Sequence, residues 1–375
     1  MRNLLYFFAF AQAFLISAVS MPLLIRLAKH LRVIDRPGHR KVHETSKPLL
    51  GGVGIFLGFF ATIVIDLVLF WLLQHESWVR THLQAVVRIA PALQAALGKL
   101  VIVLSGALLM HLVGLVDDIF KERVSYKPKF IAQFLIALLV VLGGVRTQFM
   151  PGQVLDIIVS TIWIVGVTNG FNLLDNLDGL SSGIAIISGL LLFTIAILQG
   201  QVFFAFLLAA LIGACLGFLL FNFHPSKLFM GDSGSLFLGY IFAAVTVTGS
   251  YVMQNSASLI PVLTPFLILS IPLYDTFSVM YIRWREGRPL FLGDKRHFSH
   301  RLLELGMSHR GVVIFIYLVC FCVGSAALLL PYLSVAASLL IVVQVIAMYG
   351  LLTILISYGR KNQFMNLEST QKKSI

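Results

Sequence analysis

The chain has 375 residues, of which 58% are hydrophobic and only 12% are charged, and its formal net charge is +12. Soluble domains contain about 45–50% apolar residues. This composition therefore excludes an ordinary soluble protein and is typical of a chain that folds in a lipid bilayer.

Apolar stretches follow one another along most of the chain, each close to the roughly 20 residues that a helix needs to cross a bilayer. They predict about eleven transmembrane helices, so the expected fold class is all-α, a polytopic membrane helix bundle. Because no long linker separates the stretches, we expect a single membrane-embedded domain over 1–375. The predicted spans are 4–28, 49–74, 96–116, 129–147, 153–170, 181–199, 202–221, 234–251, 257–281, 311–331 and 335–357.

Lys and Arg collect in three segments between these spans. The segments run from Lys29 to Lys47, from Lys121 to Lys129 and from Arg283 to Arg310. With about eleven spans all three lie on one side of the membrane, and the excess of basic residues in cytoplasmic loops makes that side the cytoplasm. The N-terminus is then outside and a tail at 360–375 is cytoplasmic. Topology explains most of the positive charge, and binding of a polyanion at the same face is the alternative.

Five acidic residues also lie on the cytoplasmic side, each at an end of a predicted span. At membrane depth an ionisable group costs about 2.5–3.5 kcal/mol, so each one needs a partner or a function. A helix cap is the structural explanation for any single one of them. As a set beside basic loops they predict a Mg²⁺ site for a diphosphate, since Mg²⁺ is usually held by one or two carboxylates with water and phosphate. The residues are Asp117 and Asp118 in GLVDDIFK, Asp175 and Asp178 in FNLLDNLDGL, and Asp232 in KLFMGDSGS.

Five motifs in a fixed order identify a family. They are RKVHETSKPLLGGVG, GLVDDIFK, NGFNLLDNLDGLSSG, FNFHPSKLFMGDSGSLFLG and DKRHFSHRLLELGMSHR. In them the chain resembles the polyprenyl-phosphate N-acetylhexosamine-1-phosphate transferases, over most of its length. This family of membrane enzymes includes the bacterial enzymes that initiate O-antigen (lipopolysaccharide), enterobacterial common antigen and teichoic acid synthesis, and the phospho-MurNAc-pentapeptide translocase.

The resemblance implies a Mg²⁺-dependent transfer, with Mn²⁺ as the alternative ion. An oxygen of undecaprenyl phosphate attacks the β-phosphorus of a UDP-N-acetylhexosamine, UMP leaves, and a lipid-linked sugar pyrophosphate stays in the membrane. UDP-N-acetylglucosamine is the first donor expected. The reaction would initiate a cell-envelope polysaccharide at the cytoplasmic face of the bacterial inner membrane.

Residue roles also follow from the resemblance. Asp117 and Asp118 match the paired catalytic aspartates, with Asp117 next to the attacking phosphate and Lys121 beside it. Asp232 matches the metal ligand. Residues that match substrate-binding positions are Asn172 and Asp175 in the nucleotide-sugar site, and Asp178, Asn222 and Phe229 near the uracil.

The basic loop before the last two spans departs from the family pattern. Many amino-sugar transferases of this group have His-x-His-His-Arg there, whereas this chain has Ser299 in place of the middle histidine. His297, His300 and Arg301 remain as substrate-binding candidates, and Arg301 is suited to bind phosphate. Asn176 stands where the translocase branch has Gly, which favours the amino-sugar branch and leaves translocase-type activity as the alternative.

An ion-coupled transporter is the rival from another class, because aspartates in membrane helices also mark ion pathways. A transporter predicts acids at the mid-membrane and an inverted repeat, whereas the span map places these acids at one face. The expected partners are a polyprenyl phosphate, a UDP-N-acetylhexosamine and the membrane, with no nucleic acid. Self-association into a homodimer is left open.

Overall fold

The computed structural model describes residues 2–35, 46–74, 76, 84–120, 125–251, 260–289 and 296–373. By its internal contacts the chain divides into two compact units, Met1–Ser250 and Tyr251–Ile375. The expected single membrane-embedded domain over 1–375 and the cytoplasmic tail at 360–375 stay predictions.

Long helices form the first unit. A short antiparallel ribbon precedes α2, in which β1 (Ile34–Asp35) pairs with β2 (Lys47–Pro48). The helices are α1 (Arg2–His30), α2 (Gly51–Leu73), α3 (Gln84–Phe120), α4 (Tyr126–Leu142), α5 (Gln153–Leu174), α6 (Leu180–Leu198), α7 (Val202–Asn222) and α8 (Gly231–Thr248).

The second unit is also helical. Its first apolar segment is bent by 75° between two helical pieces, Ile260–Ile268 and Ser270–Arg285. The elements are a 3₁₀ turn (Ile260–Leu263), α9 (Thr264–Ile268), α10 (Ser270–Arg285), α11 (Phe298–Glu304), α12 (His309–Ala326), a second 3₁₀ turn (Leu330–Tyr332) and α13 (Val335–Lys373).

Within the described residues, eight helices are long and apolar enough to cross a membrane, and the bent pair gives a ninth. Large apolar side chains such as Phe7, Val19 and Ile346 are more than 60% exposed, which suits lipid and not water. The predicted all-helical, polytopic membrane fold is therefore confirmed. The count of about eleven spans stays a prediction, because α4 and α8 are not among the eight.

Helix α8 is enclosed by the other helices of its unit. It packs against α2, α3 and α5, and every residue from Ser233 to Val247 is buried. A helix that is buried in this way can carry Ser, Gly, Tyr and Thr, which explains why α8 is not apolar enough to count among the candidate membrane spans.

Glycines allow the helix backbones around α8 to touch. A Cβ atom on Gly52 of α2 would lie 2.1 Å from the backbone nitrogen of Gly234, and one on Gly114 of α3 would lie 2.2 Å from the carbonyl oxygen of Asp232. The Nδ1 atom of His111 donates to the carbonyl oxygen of Ser233 at 3.0 Å and so joins α3 to α8 a second time. The first turn of α8 is thereby held between α2 and α3.

Replacement of Gly114 by Ala is expected to destabilise the first unit, because the new methyl group would meet main-chain atoms that cannot rotate away. We expect a cost of about 1–3 kcal/mol, seen as a lower thermal midpoint of the purified protein in detergent. Gly98→Ala is the matched control on the same helix, since a Cβ there has no described atom within 4 Å. Equal midpoints for the two variants would contradict the packing described for α8.

Candidate active site

Four helix ends meet at one end of the first unit. Asp117 lies near the end of α3, Lys129 in the first turn of α4, Asn172 near the end of α5 and Asp232 in the first turn of α8. The Nζ atom of Lys129 donates to Asp117 Oδ2 at 3.2 Å and also to Asp232 Oδ2. Residues separated by up to 115 positions in the sequence thus form one charged cluster.

These three charged side chains are partly shielded from solvent. The exposed fractions are 15% for Lys129, 20% for Asp117 and 27% for Asp232. Charge-assisted hydrogen bonds in such surroundings are stronger than those between surface charges. The cluster is therefore ordered but still open to a small ligand.

Asp232 has a second donor in Asn172. The Nδ2 atom of Asn172 donates to Asp232 Oδ1 at 2.9 Å and to Ser235 Oγ at 2.9 Å. A carboxylate in the first turn of a helix is also stabilised by the partial positive charge of the helix N-terminus. Both carboxylate oxygens of Asp232 thus accept hydrogen bonds within the cluster.

Asp118 makes different contacts from those of its neighbour Asp117. Its Oδ1 accepts from the backbone N–H of Asp232 at 2.8 Å, its Oδ2 accepts from that of Ser233 at 2.9 Å, and the residue is 5% exposed. Asp118 therefore caps α8 from another helix. A Cβ on Gly231, whose φ is +74°, would lie 2.5 Å from this carboxylate, so the cap requires glycine at that position.

The residues predicted near the uracil are joined by a second network. Asp178 accepts from His224 Nδ1 at 2.9 Å, from Ser226 N at 3.0 Å and from Ser226 Oγ at 2.9 Å. Asn222 is 3% exposed, accepts from the Gly179 N–H at 2.9 Å and donates to the carbonyl of Leu228 at 2.9 Å. These contacts tie the α5–α6 turn to the 223–230 loop.

Phe229 and Asp175 lie at the same end of the unit, and both are half-buried. The N–H of Phe229 donates to the Pro48 carbonyl, and its carbonyl accepts from the Gly51 N–H, each at 2.9 Å. Asp175 terminates α5, with its N–H donating to the carbonyl of Phe171 at 3.2 Å. The backbone around both residues is therefore held in place.

Three residues of these networks are not predicted as site residues by the sequence. The sequence predicts Lys129 only as a basic loop residue and gives no role to His224 or Ser226. The position of Lys129 in the first turn of the helix that follows the paired aspartates is the signal that could have found it. Lys121, the predicted catalytic lysine, lies outside the described residues.

The histidine loop belongs to the second unit. Asp275 of α10, which is 1% exposed, accepts from His297 Nδ1 at 2.7 Å and from the Phe298 N–H at 2.5 Å, so it caps α11 and orients the imidazole. Arg301 is 3% exposed and donates through Nη2 to Ser278 Oγ at 2.6 Å.

The remaining residues of that loop differ in burial. His300 is half-buried, with its ring centroid 6.2 Å from that of His297. Ser299 is 2% exposed, so the position at which the resemblance expects a third imidazole is closed to solvent in this chain. The Nε atom of Arg301 is buried and has no hydrogen-bond partner among the described residues, which leaves a donor for an anion.

The charged cluster offers carboxylate oxygens in the small number that Mg²⁺ commonly needs. In the described part of the chain, no three His, Cys, Asp or Glu side chains lie together as a metal site. Mg²⁺ commonly needs only one or two carboxylates when substrate phosphates and water complete its shell. Asp117 and Asp232 meet that requirement, because both already share one positive group, the ammonium of Lys129.

The chain is similar to known proteins over the residues that form this site. The pattern of glycosyl transferase family 4 matches residues 100–250, which include the whole charged cluster. The chain is 32% identical over 343 residues to the probable undecaprenyl-phosphate N-acetylglucosaminyl 1-phosphate transferase of Bacillus subtilis, covering 89% of this chain and 87% of that protein.

Two further relatives carry similar names. The decaprenyl-phosphate N-acetylglucosaminephosphotransferase of Mycobacterium tuberculosis is 32% identical over 78% of this chain and 74% of its own length. The undecaprenyl-phosphate alpha-N-acetylglucosaminyl 1-phosphate transferase of Yersinia pestis is 28% identical over 84% of this chain and 80% of its own length. With this extent of similarity, and with the charged cluster inside the matched residues, the chain belongs to glycosyl transferase family 4.

Proposed function

We propose that the chain transfers N-acetylglucosamine-1-phosphate from UDP-N-acetylglucosamine to undecaprenyl phosphate and releases UMP. An oxygen of the lipid phosphate attacks the β-phosphorus, the bond from that phosphorus to the oxygen bridging it to the α-phosphorus breaks, and UMP leaves with that oxygen. The observation that carries the proposal is the cluster of Asp117, Lys129, Asn172 and Asp232, in a chain whose relatives are named for this transfer.

Asp117 and Asp232 would hold Mg²⁺ in this reaction. When bound, the ion neutralises charge on the diphosphate so that a second anion can approach it. Asn172 keeps Asp232 oriented, and Asp118 keeps the first turn of α8 in place beneath it. Their contribution is position and electrostatics, which dominate phosphoryl transfer.

The chain needs no strong general base for this step. A phosphate monoester carries a charge of about −1.5 to −2 at neutral pH, so its attacking oxygen is already largely ionised. Lys129, with three N–H donors on a flexible stem, is suited to bind either phosphate. Asp117 would hold the cation and lie next to the attacking phosphate.

The second network of the first unit is the proposed uridine site. Asp178 and Asn222 order the 223–230 loop, which presents the half-buried ring of Phe229 for stacking. In the second unit His297, His300 and Arg301 are proposed to bind the diphosphate or the sugar. The unpartnered Nε of the buried Arg301 supports an anionic ligand there.

We further propose about eleven spans, with the N-terminus outside, the C-terminus inside and the site at the cytoplasmic face of the bacterial inner membrane. Helix α4 has 17 residues and would be about 26 Å long, close to the thickness of a hydrocarbon core. Helix α8 is long enough and is shielded from lipid. The basic segments that precede α2 and α4 support this orientation.

Asp117→Asn and Asp232→Asn are each expected to lower UMP release roughly 100-fold or more, because each removes one of the two charges available to the cation. Purified protein with polyprenyl phosphate, Mg²⁺ and UDP-N-acetylglucosamine provides the assay. Asp156→Asn is the control. Asp156 lies in the first turn of α5, at the opposite end of the helix from Asn172, and its carboxylate accepts a hydrogen bond from Thr147. Near-normal turnover in both cluster variants would refute the assignment.

Donor choice separates the two branches of the family. UDP-N-acetylglucosamine is expected to support UMP release that requires both lipid and Mg²⁺, whereas UDP-MurNAc-pentapeptide is expected to support none. UDP-N-acetylgalactosamine belongs in the same assay. Preference for the peptide-bearing donor would assign the chain to the translocase reaction instead.

Asp118→Asn should behave differently from Asp117→Asn. An amide has one acceptor oxygen in place of two, so one of the two caps on α8 is lost, at a cost of about 0.5–2 kcal/mol. We expect a lower thermal midpoint for Asp118→Asn than for Asp117→Asn in detergent without substrate. If the order were reversed, Asp118 would not be the residue that anchors α8.

A further inference from the structure

Lys129 lies between the two carboxylates that are proposed to hold the cation. Its ammonium contacts Oδ2 of Asp117 and Oδ2 of Asp232, and its side chain is only 15% exposed. Two carboxylates brought this close repel one another unless a positive group lies between them. Lys129 supplies that group.

The helix that carries Lys129 is fixed independently of these carboxylates. One turn deeper, Gln133 is completely buried and its Oε1 accepts from Asn169 Nδ2 at 2.7 Å, which joins α4 to α5. Asn169 also donates to the carbonyl of Val165 at 2.8 Å. The ammonium can therefore leave the carboxylates by rotation of its four-carbon stem while α4 stays in place.

From this geometry we propose that Lys129 is an internal counter-ion that competes with the divalent cation. It neutralises Asp117 and Asp232 in the metal-free enzyme. When these two carboxylates hold the cation, the ammonium would be released and could contact a substrate phosphate. The inference rests on the proposed function for the identity of the phosphate, but the competition itself concerns only the metal and this chain.

Competition predicts opposite effects on metal binding and on turnover. Lys129→Met removes the competitor, so the full-length protein in detergent should bind Mn²⁺ about tenfold or more tightly. UMP release by the same variant should fall by a similar factor, because a phosphate contact is lost. Mn²⁺ binding is measured by the loss of the free-ion electron paramagnetic resonance signal, without lipid or nucleotide.

Two variants control for charge and for position. Lys129→Arg keeps the positive charge and should bind Mn²⁺ no more tightly than the unmodified protein. Lys127→Met removes an exposed lysine of the same helix and should change neither measurement. Weaker or unchanged Mn²⁺ binding in Lys129→Met would overturn the proposal, because it would make Lys129 a support of the metal site.

A second measurement uses the unmodified chain and so does not depend on how a variant folds. Reductive methylation followed by peptide mass spectrometry reports the reactivity of each lysine. Adding Mg²⁺ should increase the labelling of Lys129 several-fold relative to Lys127, since release from two carboxylates exposes its nitrogen. Constant or reduced labelling would contradict release.

The metal measurements remain decisive if the transferase proposal fails. Absence of UMP release with every donor would reject the proposed reaction, while tighter Mn²⁺ binding in Lys129→Met together with increased Lys129 labelling would still support the counter-ion. Normal UMP release in the unmodified protein with no such changes would reject the counter-ion and leave the reaction intact.

Discussion

The site depends on two hydrogen bonds that the first turn of α8 donates to the carboxylate of Asp118. Helix α8 is buried along its length, so the free N–H groups at its start cannot be satisfied by water. The carboxylate of Asp118 satisfies two of them and fixes the angle at which Asp232 leaves the helix. Adjacent aspartates on α3 thus make different contacts: Asp118 caps α8, and Asp117 belongs to the charged cluster.

The same arrangement recurs in the chain. Asp275 caps α11 and orients His297, and Asp178 accepts from the backbone of Ser226. In each case a carboxylate from one element orders the start of another element or a loop beside a proposed substrate contact. Burial of charge at the membrane edge is compensated by main-chain donors as well as by basic side chains, which agrees with the low number of charged residues in the chain.

Much of this organisation could be predicted from the sequence. Apolar length predicted the membrane helices, and the positions of the acids at span ends predicted that Asp117 and Asp232 meet. Asn172 was selected only through the family resemblance. The different roles of Asp117 and Asp118 could not be predicted, because adjacent aspartates cannot be distinguished in the sequence. The position of Lys129 in the first helical turn after them marks it as a candidate, but the sequence does not show that it contacts both carboxylates. Their contacts depend on how closely α3, α4 and α8 approach. The number of spans was harder to predict from the sequence for a related reason. Apolar content reflects contact with lipid, and α8 has little such contact because it is buried among other helices.

The backbone contacts between Gly52, Gly114 and the start of α8 have a consequence for how such enzymes can diversify. Where main chains touch, there is no volume for a larger side chain. The glycine positions that pack against the start of α8 therefore do not tolerate substitution. Substitutions that alter the site have to arise at positions with room for change around this rigid base. Phe223, Pro225 and Lys227, the exposed residues of the 223–230 loop, are such positions.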